Sequence, residues 1–277
     1  MITDVHHVGI AVTDLKHALA FYADTLRLPI IKQGDMPARG VVVAMLAAGR
    51  NYLEIIQPIE SSSPFAKHIA ERGEGLHHVA LRSDNVVGDV ARLRNANVPL
   101  HDPDPREGFT GRLSYLAPEA FDGAQVEIVQ PEDVLAGDNP ITGHITRIDH
   151  VVLRVPSVAE TSRKLDQWLG VPAKRTMERG EQVFAFMRPG DVVIEIIGPR
   201  DGGEPGSGRV AGLAFEVNDI DALTEQVKGQ GYPIGDPHPA LQGGRIVSVH
   251  PSGACGVPVA FIDFTGSPGP AHRRQAE

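Results

Sequence analysis

Two short phrases, each written twice in the first half of the chain, carry side chains that can do chemistry. His6-His7-Val8 returns as His77-His78-Val79, and Tyr52-Leu53-Glu54-Ile55-Ile56-Gln57-Pro58 returns as Gln125-Val126-Glu127-Ile128-Val129-Gln130-Pro131. His7 and His78 are 71 residues apart, and Glu54 and Glu127 are 73 apart. A duplicated unit that sets one imidazole and one carboxylate on strands brings all four together by pseudo-symmetry. Two imidazoles and two carboxylates, with no thiolate, suit one divalent ion: Co, Mn, Ni, Fe, Zn or Mg. Strand alternation lets one histidine of each doublet face such a site, and leaves open which one.

The elements that must position these residues are also repeated. Asp149-His150-Val151 and Val193–Pro199 echo the phrases in the second half, and a fourth copy runs from Gly212-Leu213-Ala214 to Val259–Phe264. From His7, His78, His150 and Gly212 to the prolines Pro29, Pro99, Pro172 and Pro233 the distances are 22, 21, 22 and 21 residues. Internal repeats of this kind predict repeated supersecondary units. Each reads as strand, helix and three more strands. In the first, Leu15, Ala18, Leu19, Tyr22 and Leu26 recur at helical spacing behind a Thr13-Asp14 cap, followed by β-rich runs at Gly40–Leu46 and Tyr52–Ile56. The second has Asp84-Asn85 before a helix over Val86–Ala96, with strands near Gly111–Leu116 and Gln125–Val129. Phe65–Arg72 reads as a short amphipathic helix. Pro131–Gly143 reads as an interdomain linker, and the run from Gly266 as a frayed tail.

With 277 residues, the chain is long enough for two ordinary domains. No run of 18 apolar residues predicts a membrane span, and Asp4–Val12 goes directly into a strand, so no signal peptide is expected. Cys255 is the single cysteine, which suits a reducing cytoplasm. The net charge of −9 offers no electrostatic footprint for nucleic acid. The expected partner is a small molecule, with no nucleic acid and no membrane; a homodimer is admitted.

The first half resembles the methylmalonyl-CoA epimerases of the vicinal oxygen chelate (glyoxalase/bleomycin-resistance/dioxygenase) superfamily. The likeness rests on His7–Val12, Phe21–Leu26, Ser63–Lys67 and Glu71-Arg72-Gly73-Glu74-Gly75-Leu76-His77-His78. It covers about residues 4–131 closely and 145–265 only generically. It implies an α+β fold of tandem vicinal oxygen chelate domains, four βαβββ modules forming cupped mixed sheets. The expected division is a metal-binding domain at 1–132, a linker at 133–144, a degenerate copy at 145–266 and a tail at 267–277. The family pattern selects His7, Glu54, His78 and Glu127 as metal ligands. In the second half Gly212 and Ala260 stand where the second histidine and second glutamate belong, so His150 and Glu195 remain alone. Pairing the second module with the third would instead gather His78, Glu127, His150 and Glu195.

Two departures from the epimerases bear on the substrate. Their proton-transfer glutamate corresponds to Val43, and their His-Pro-Lys turn to Ala117-Pro118-Glu119. Valine cannot take a proton, and a carboxylate in place of lysine disfavours a phosphate-bearing substrate. The expected function is therefore a divalent-metal-dependent isomerase or epimerase acting on a small carbonyl compound other than methylmalonyl-CoA, through a metal-chelated enolate or enediolate. An extradiol-type ring-cleaving dioxygenase and a non-catalytic binding protein are the alternatives. Glu127, Tyr52 and Arg82 are the expected catalytic residues, with Arg112 and Ser114 as further pocket candidates. Phe21, Tyr22 and Trp168 read as packing.

Overall fold

The computed structural model describes residues 1–135, 139–240 and 243–265. The expected tail and residues 136–138 of the expected linker lie outside the described residues. All four repeats fold as strand–helix–three strands. The first holds β1 (Ile2–Ala11), α1 (Leu15–Leu19, continuing as a π-helical turn over Ala20–Thr25), β2 (Ile30–Met36), β3 (Val41–Ala48) and β4 (Asn51–Pro58). After α2 (Pro64–Arg72) the second holds β5 (Gly75–Ser83), α3 (Val86–Asn95), β6 (Arg106–Glu107), β7 (Gly111–Tyr115) and β8 (Gln125–Pro131). The third holds β9 (Ile145–Arg154), α4 (Val158–Leu169), β10 (Ala173–Arg179), β11 (Gln182–Met187) and β12 (Val193–Pro199). The fourth holds β13 (Arg209–Val217), α5 (Ile220–Gly229), β14 (His238–Pro239), β15 (Arg245–Val249) and β16 (Val259–Asp263).

The sequence sets each helix start in the same way. Asp14, Asn85, Ser157 and Asp219 accept from the N–H three residues on, at 3.1, 3.0, 3.3 and 2.9 Å. One short polar side chain per module thus satisfies an orphan donor, worth about 0.5–2 kcal/mol each. The helices then bury one stripe: α4 turns Val158, Thr161, Leu165 and Leu169 inward.

The strands form two curled mixed sheets of eight. Their orders are β2-β3-β4-β1-β5-β8-β7-β6 and β10-β11-β12-β9-β13-β16-β15-β14. The fold is the expected α+β architecture of tandem vicinal oxygen chelate domains. Placing β5 and β8 in one sheet with β1 and β4, and β9 and β12 in the other, excludes the alternative gathering of His78 with His150.

By packing, the described chain divides into two compact units, each discontinuous in sequence. One takes Met1–Ile10, the run from Leu76 and His150–Ala211; the other takes Ala11–Gly75 and the run from Gly212. Within the first, Lys164 of α4 lies 3.7 Å from Asp122, and Arg92 of α3 donates to the Trp168 carbonyl at 2.6 Å. Asp4 at the start of β1 accepts from the N–H groups of Val5 (2.8 Å) and Asp191 (3.3 Å). Burial, aided by the negative charge of Asp191, pushes the Asp4 carboxyl up to about 6. Within the second unit, Tyr22 is fully buried and its hydroxyl donates to the Ala254 carbonyl at 3.0 Å. Phe21 and Tyr22 are packing residues, as expected. Among the described residues, no helix is long and apolar enough to cross a membrane.

Candidate metal centre

The centre of the first sheet gathers the duplicated phrases. β1 and β5 are neighbours, and each carries a histidine doublet. The His7 and His78 side chains are fully buried, with their Nε2 atoms 3.1 Å apart and their rings at 90°. On β8, parallel to β5, Glu127 sits opposite Ala80. Its Oε1 lies 3.7 Å from His7 Nε2 and its Oε2 lies 3.7 Å from His78 Nε2. Glu54 of β4 joins from the other module: ligand atoms of His7, Glu54 and His78 lie within 4.8 Å of one another. Among the described residues no second group of this kind forms.

A glycine makes the convergence possible. A Cβ on Gly9 would meet His78 Cε1 at 2.0 Å and Nδ1 at 2.2 Å. The imidazole of β5 therefore lies across the bare backbone of β1, and a side chain there would displace it.

The doublets explain which nitrogen faces the centre. His6 Nε2 lies 2.8 Å from the Leu135 carbonyl, and His6 Nδ1 lies 2.8 Å from His7 Nδ1. A carbonyl only accepts, so His6 Nε2 must carry the proton there. With one proton on each ring, His6 accepts at Nδ1 from His7 Nδ1–H, which leaves the His7 lone pair on Nε2, the nitrogen nearest His78 and Glu127. His77 Nδ1 stands 3.0 Å from His78 Nδ1 in the same relation. Hydrogen bonding of the far ring nitrogen is how a protein orients a metal-ligating imidazole.

This arrangement fits a divalent ion. Two carboxylates held away from water, Glu54 at 7% exposure and Glu127 at 1%, are costly without compensating positive charge. The imidazole lone pairs beside them supply neutral donors of the type first-row metals take.

The remaining candidates divide by strand parity. Tyr52 lies two residues from Glu54, but it is buried and its hydroxyl accepts from Asn139 Nδ2 at 2.9 Å. Arg82, opposite Val129, shares the face of His78 and Glu127. Arg112 and Ser114 do not: they pair with Gln130 and Ile128, turned away from Glu127, and Ser114 Oγ donates to the Asp102 carbonyl at 2.7 Å. Tyr115 takes their place. It is paired with Glu127 on the cup face, and its hydroxyl lies 3.2 Å from His78 Nε2, with Arg106 Cζ 5.8 Å from its ring centroid. Nothing in the one-dimensional pattern marks Tyr115 over Ser114, because parity across the β7–β8 loop depends on the hairpin register. Lys32 was also missed; it pairs with Met45, which pairs with Glu54, so it faces the same side. Val43 pairs with Ile56 on that face too and is 1% exposed. No base stands at this position.

In the second sheet, His150 Nε2 and Glu195 Oε2 are 3.9 Å apart, and no further metal-ligating side chain joins them among the described residues.

The family model described as the glyoxalase/bleomycin resistance protein/dioxygenase superfamily matches residues 6–116 and 149–248. An uncharacterised protein of Bacillus subtilis is 33% identical over 127 residues, which are 46% of this chain and 91% of that one. An ethylmalonyl-CoA/methylmalonyl-CoA epimerase of Cereibacter sphaeroides is 31% identical over 133 residues, covering 47% of this chain and 99% of its own. A solved 4-hydroxymandelate synthase variant from Streptomyces coelicolor aligns over 97% of this chain and 94% of its own, with a TM-score of 0.72 and 18% identity. It shares the fold over both halves.

Proposed function

The chain belongs to the glyoxalase/bleomycin resistance protein/dioxygenase superfamily, and on that premise we propose that it is a divalent-metal-dependent isomerase or epimerase acting on a small carbonyl compound other than methylmalonyl-CoA. The observation that carries this reading is the buried meeting of His7, Glu54 and His78, with Glu127 beside them. With His7, Glu54, His78 and Glu127 as ligands, a six-coordinate ion would keep up to two positions for a chelating substrate. A divalent ion held there supplies a Lewis acid that polarises a carbonyl and acidifies the neighbouring C–H.

The chain's own residues take the other roles. A Glu127 carboxylate oxygen released from the ligand set would accept the proton from the carbon beside the carbonyl; isomerisation returns it to the adjacent atom, and epimerisation requires the planar carbon to turn its other face to Glu127 before the proton is returned. The Tyr115 hydroxyl donates to a substrate oxygen, and Arg82 holds a substrate carboxylate on the same face. Tyr52, bonded to Asn139, supports the Glu54 strand rather than the substrate. Val43 and the Ala117-Pro118-Glu119 turn argue against methylmalonyl-CoA. The same reading assigns the metal to a domain at 1–132 and makes 145–266 a copy without metal.

Elemental analysis of the purified chain, followed by deuterium incorporation from heavy water into 2-oxo acids, hydroxy-ketones and acyl thioesters, tests this. One divalent ion per chain and exchange on at least one non-CoA carbonyl compound are expected. Oxygen uptake with a catechol, and no exchange on any carbonyl, would replace the isomerase with a ring-cleaving dioxygenase. Efficient turnover of methylmalonyl-CoA would remove the substrate clause. Val43→Glu should raise whatever slow epimerisation exists, since a positioned base contributes about 10²–10⁴-fold.

A further inference from the structure

The concave face of the second sheet carries His150 and Glu195 and, around them, a set of side chains unlike that of the first sheet. Register defines it as a grid. Arg175, Phe186, Glu195 and Val152 form one row, and Met177, Phe184, Ile197 and Arg154 the next. Arg179, Gln182 and Pro199 form a third. All lie within one compact unit. The opposite face, with Ala185, Met187, Ile194, Ile196, Val151 and Leu153, is fully buried, at 1% exposure or less. The grid is not. Phe184, Phe186, Ile197, Val152 and Met177 are half-exposed, and Arg154, Arg175 and Arg179 are exposed.

Half-exposed aromatic side chains side by side on a concave face are the usual lining of a small-molecule site. In the first sheet the places of Phe186 and Phe184 are held by Met45 and Val43, opposite Glu54 and Ile56. The second cup has therefore gained aromatic surface where the first has a metal neighbour. Three arginines stand around it against one carboxylate, Glu195, which pairs with His150. Among the described residues, no hydrogen bond or ion pair engages the guanidinium groups of Arg154, Arg175 or Arg179. Gln182 on the same face has a buried side-chain oxygen with no hydrogen-bond partner among the described residues. Unused cationic forks and an unused acceptor around an apolar floor call for a ligand that supplies an anion, a donor and an apolar body.

We propose that this face, lined by Phe184 and Phe186 and ringed by Arg154, Arg175 and Arg179, is a second, metal-independent site for a small organic anion with an apolar body. Rows of side chains are about 7 Å apart and strands about 4.8 Å apart, so the grid spans roughly the area of a two-ring molecule. The rings of the ligand lie on the two phenylalanines, its carboxylate or sulfonate meets the arginines, and a donor reaches Gln182.

The test uses the full chain and two probes that differ only in the anion: 8-anilinonaphthalene-1-sulfonate and neutral N-phenyl-1-naphthylamine. The sulfonate should bind saturably at one site per chain, by fluorescence and equilibrium dialysis. Exchanging two of the three exposed arginines, R154Q/R179Q, should weaken it about tenfold or more, with the neutral probe changed by less than about twofold. Phe184→Ser should weaken both probes. His78→Ala should leave sulfonate binding intact, because the metal centre is elsewhere. Wild-type affinity in R154Q/R179Q, or loss of the probe in His78→Ala, would overturn the proposal. So would a dimer in sedimentation that Phe184→Ser dissolves, since the face would then be covered by a second copy.

Discussion

Tyr115 Oη lies 3.2 Å from His78 Nε2, so a phenol stands at the edge of the ligand set on the strand next to Glu127. Its position lets it reach a substrate atom bound beside the imidazole without being a ligand itself.

Tyr115→Phe should therefore leave metal uptake unchanged and slow carbonyl proton exchange about ten- to a hundredfold, the effect of one lost hydrogen bond to a charged oxygen. Metal titration and deuterium incorporation on the same preparation separate the two. If metal binding falls as far as exchange does, Tyr115 is supporting His78 instead.

The two halves should respond differently to the loss of a histidine. His78→Ala should remove most bound metal and His150→Ala almost none, by elemental analysis after dialysis. Equal loss in both would show that the metal is not held by the first sheet alone.

His6 predicts a subtler effect. It lies against the Nδ1 side of His7, away from the Nε2 that faces His78 and Glu127, and fixes the proton on His7. His6→Ala should weaken metal affinity about 10–100-fold, and His6→Gln, which can accept at the same place, should recover part of it. Unchanged affinity in His6→Ala would mean that strand geometry alone orients His7.

Asp4 gives a pH dependence. The folded chain holds its proton to about 6, against an ordinary value of 3.8, because burial disfavours the anion. The folded state thus binds more protons between those values, and stability contributed by this group falls as pH rises through them. The contribution is on the order of 1–3 kcal/mol. Asp4→Asn should flatten that part of the decline in urea unfolding measured from pH 4 to 7. A decline identical to wild type would show that Asp4 titrates normally.

Much of this was legible in the sequence, since a duplicated module repeats its signals. The β-rich runs, the proline markers and the first two caps located the elements, and Ser157 and Asp219 completed the series. The phrase spacing brought His7, Glu54, His78 and Glu127 to one place. What failed was parity beyond a loop. Arg112 and Ser114 were expected in the pocket, but the β7–β8 register turns Tyr115 inward. The π-helical turn at Ala20–Thr25 was hidden for a related reason: helical spacing of apolar residues does not report the local bond pattern. Lys32 was missed because its strand, β2, is weakly apolar and shows no clean alternation.

The space that Gly9 leaves for His78 ties two distant positions together. A chain carrying both cannot gain a side chain at the first without displacing the second. In the second half, Val152 stands where Gly9 would be, and Gly212 where His78 would be. A histidine placed at 212 would meet a side chain at 152 rather than bare backbone, so no single substitution would rebuild the arrangement there; both positions would have to change.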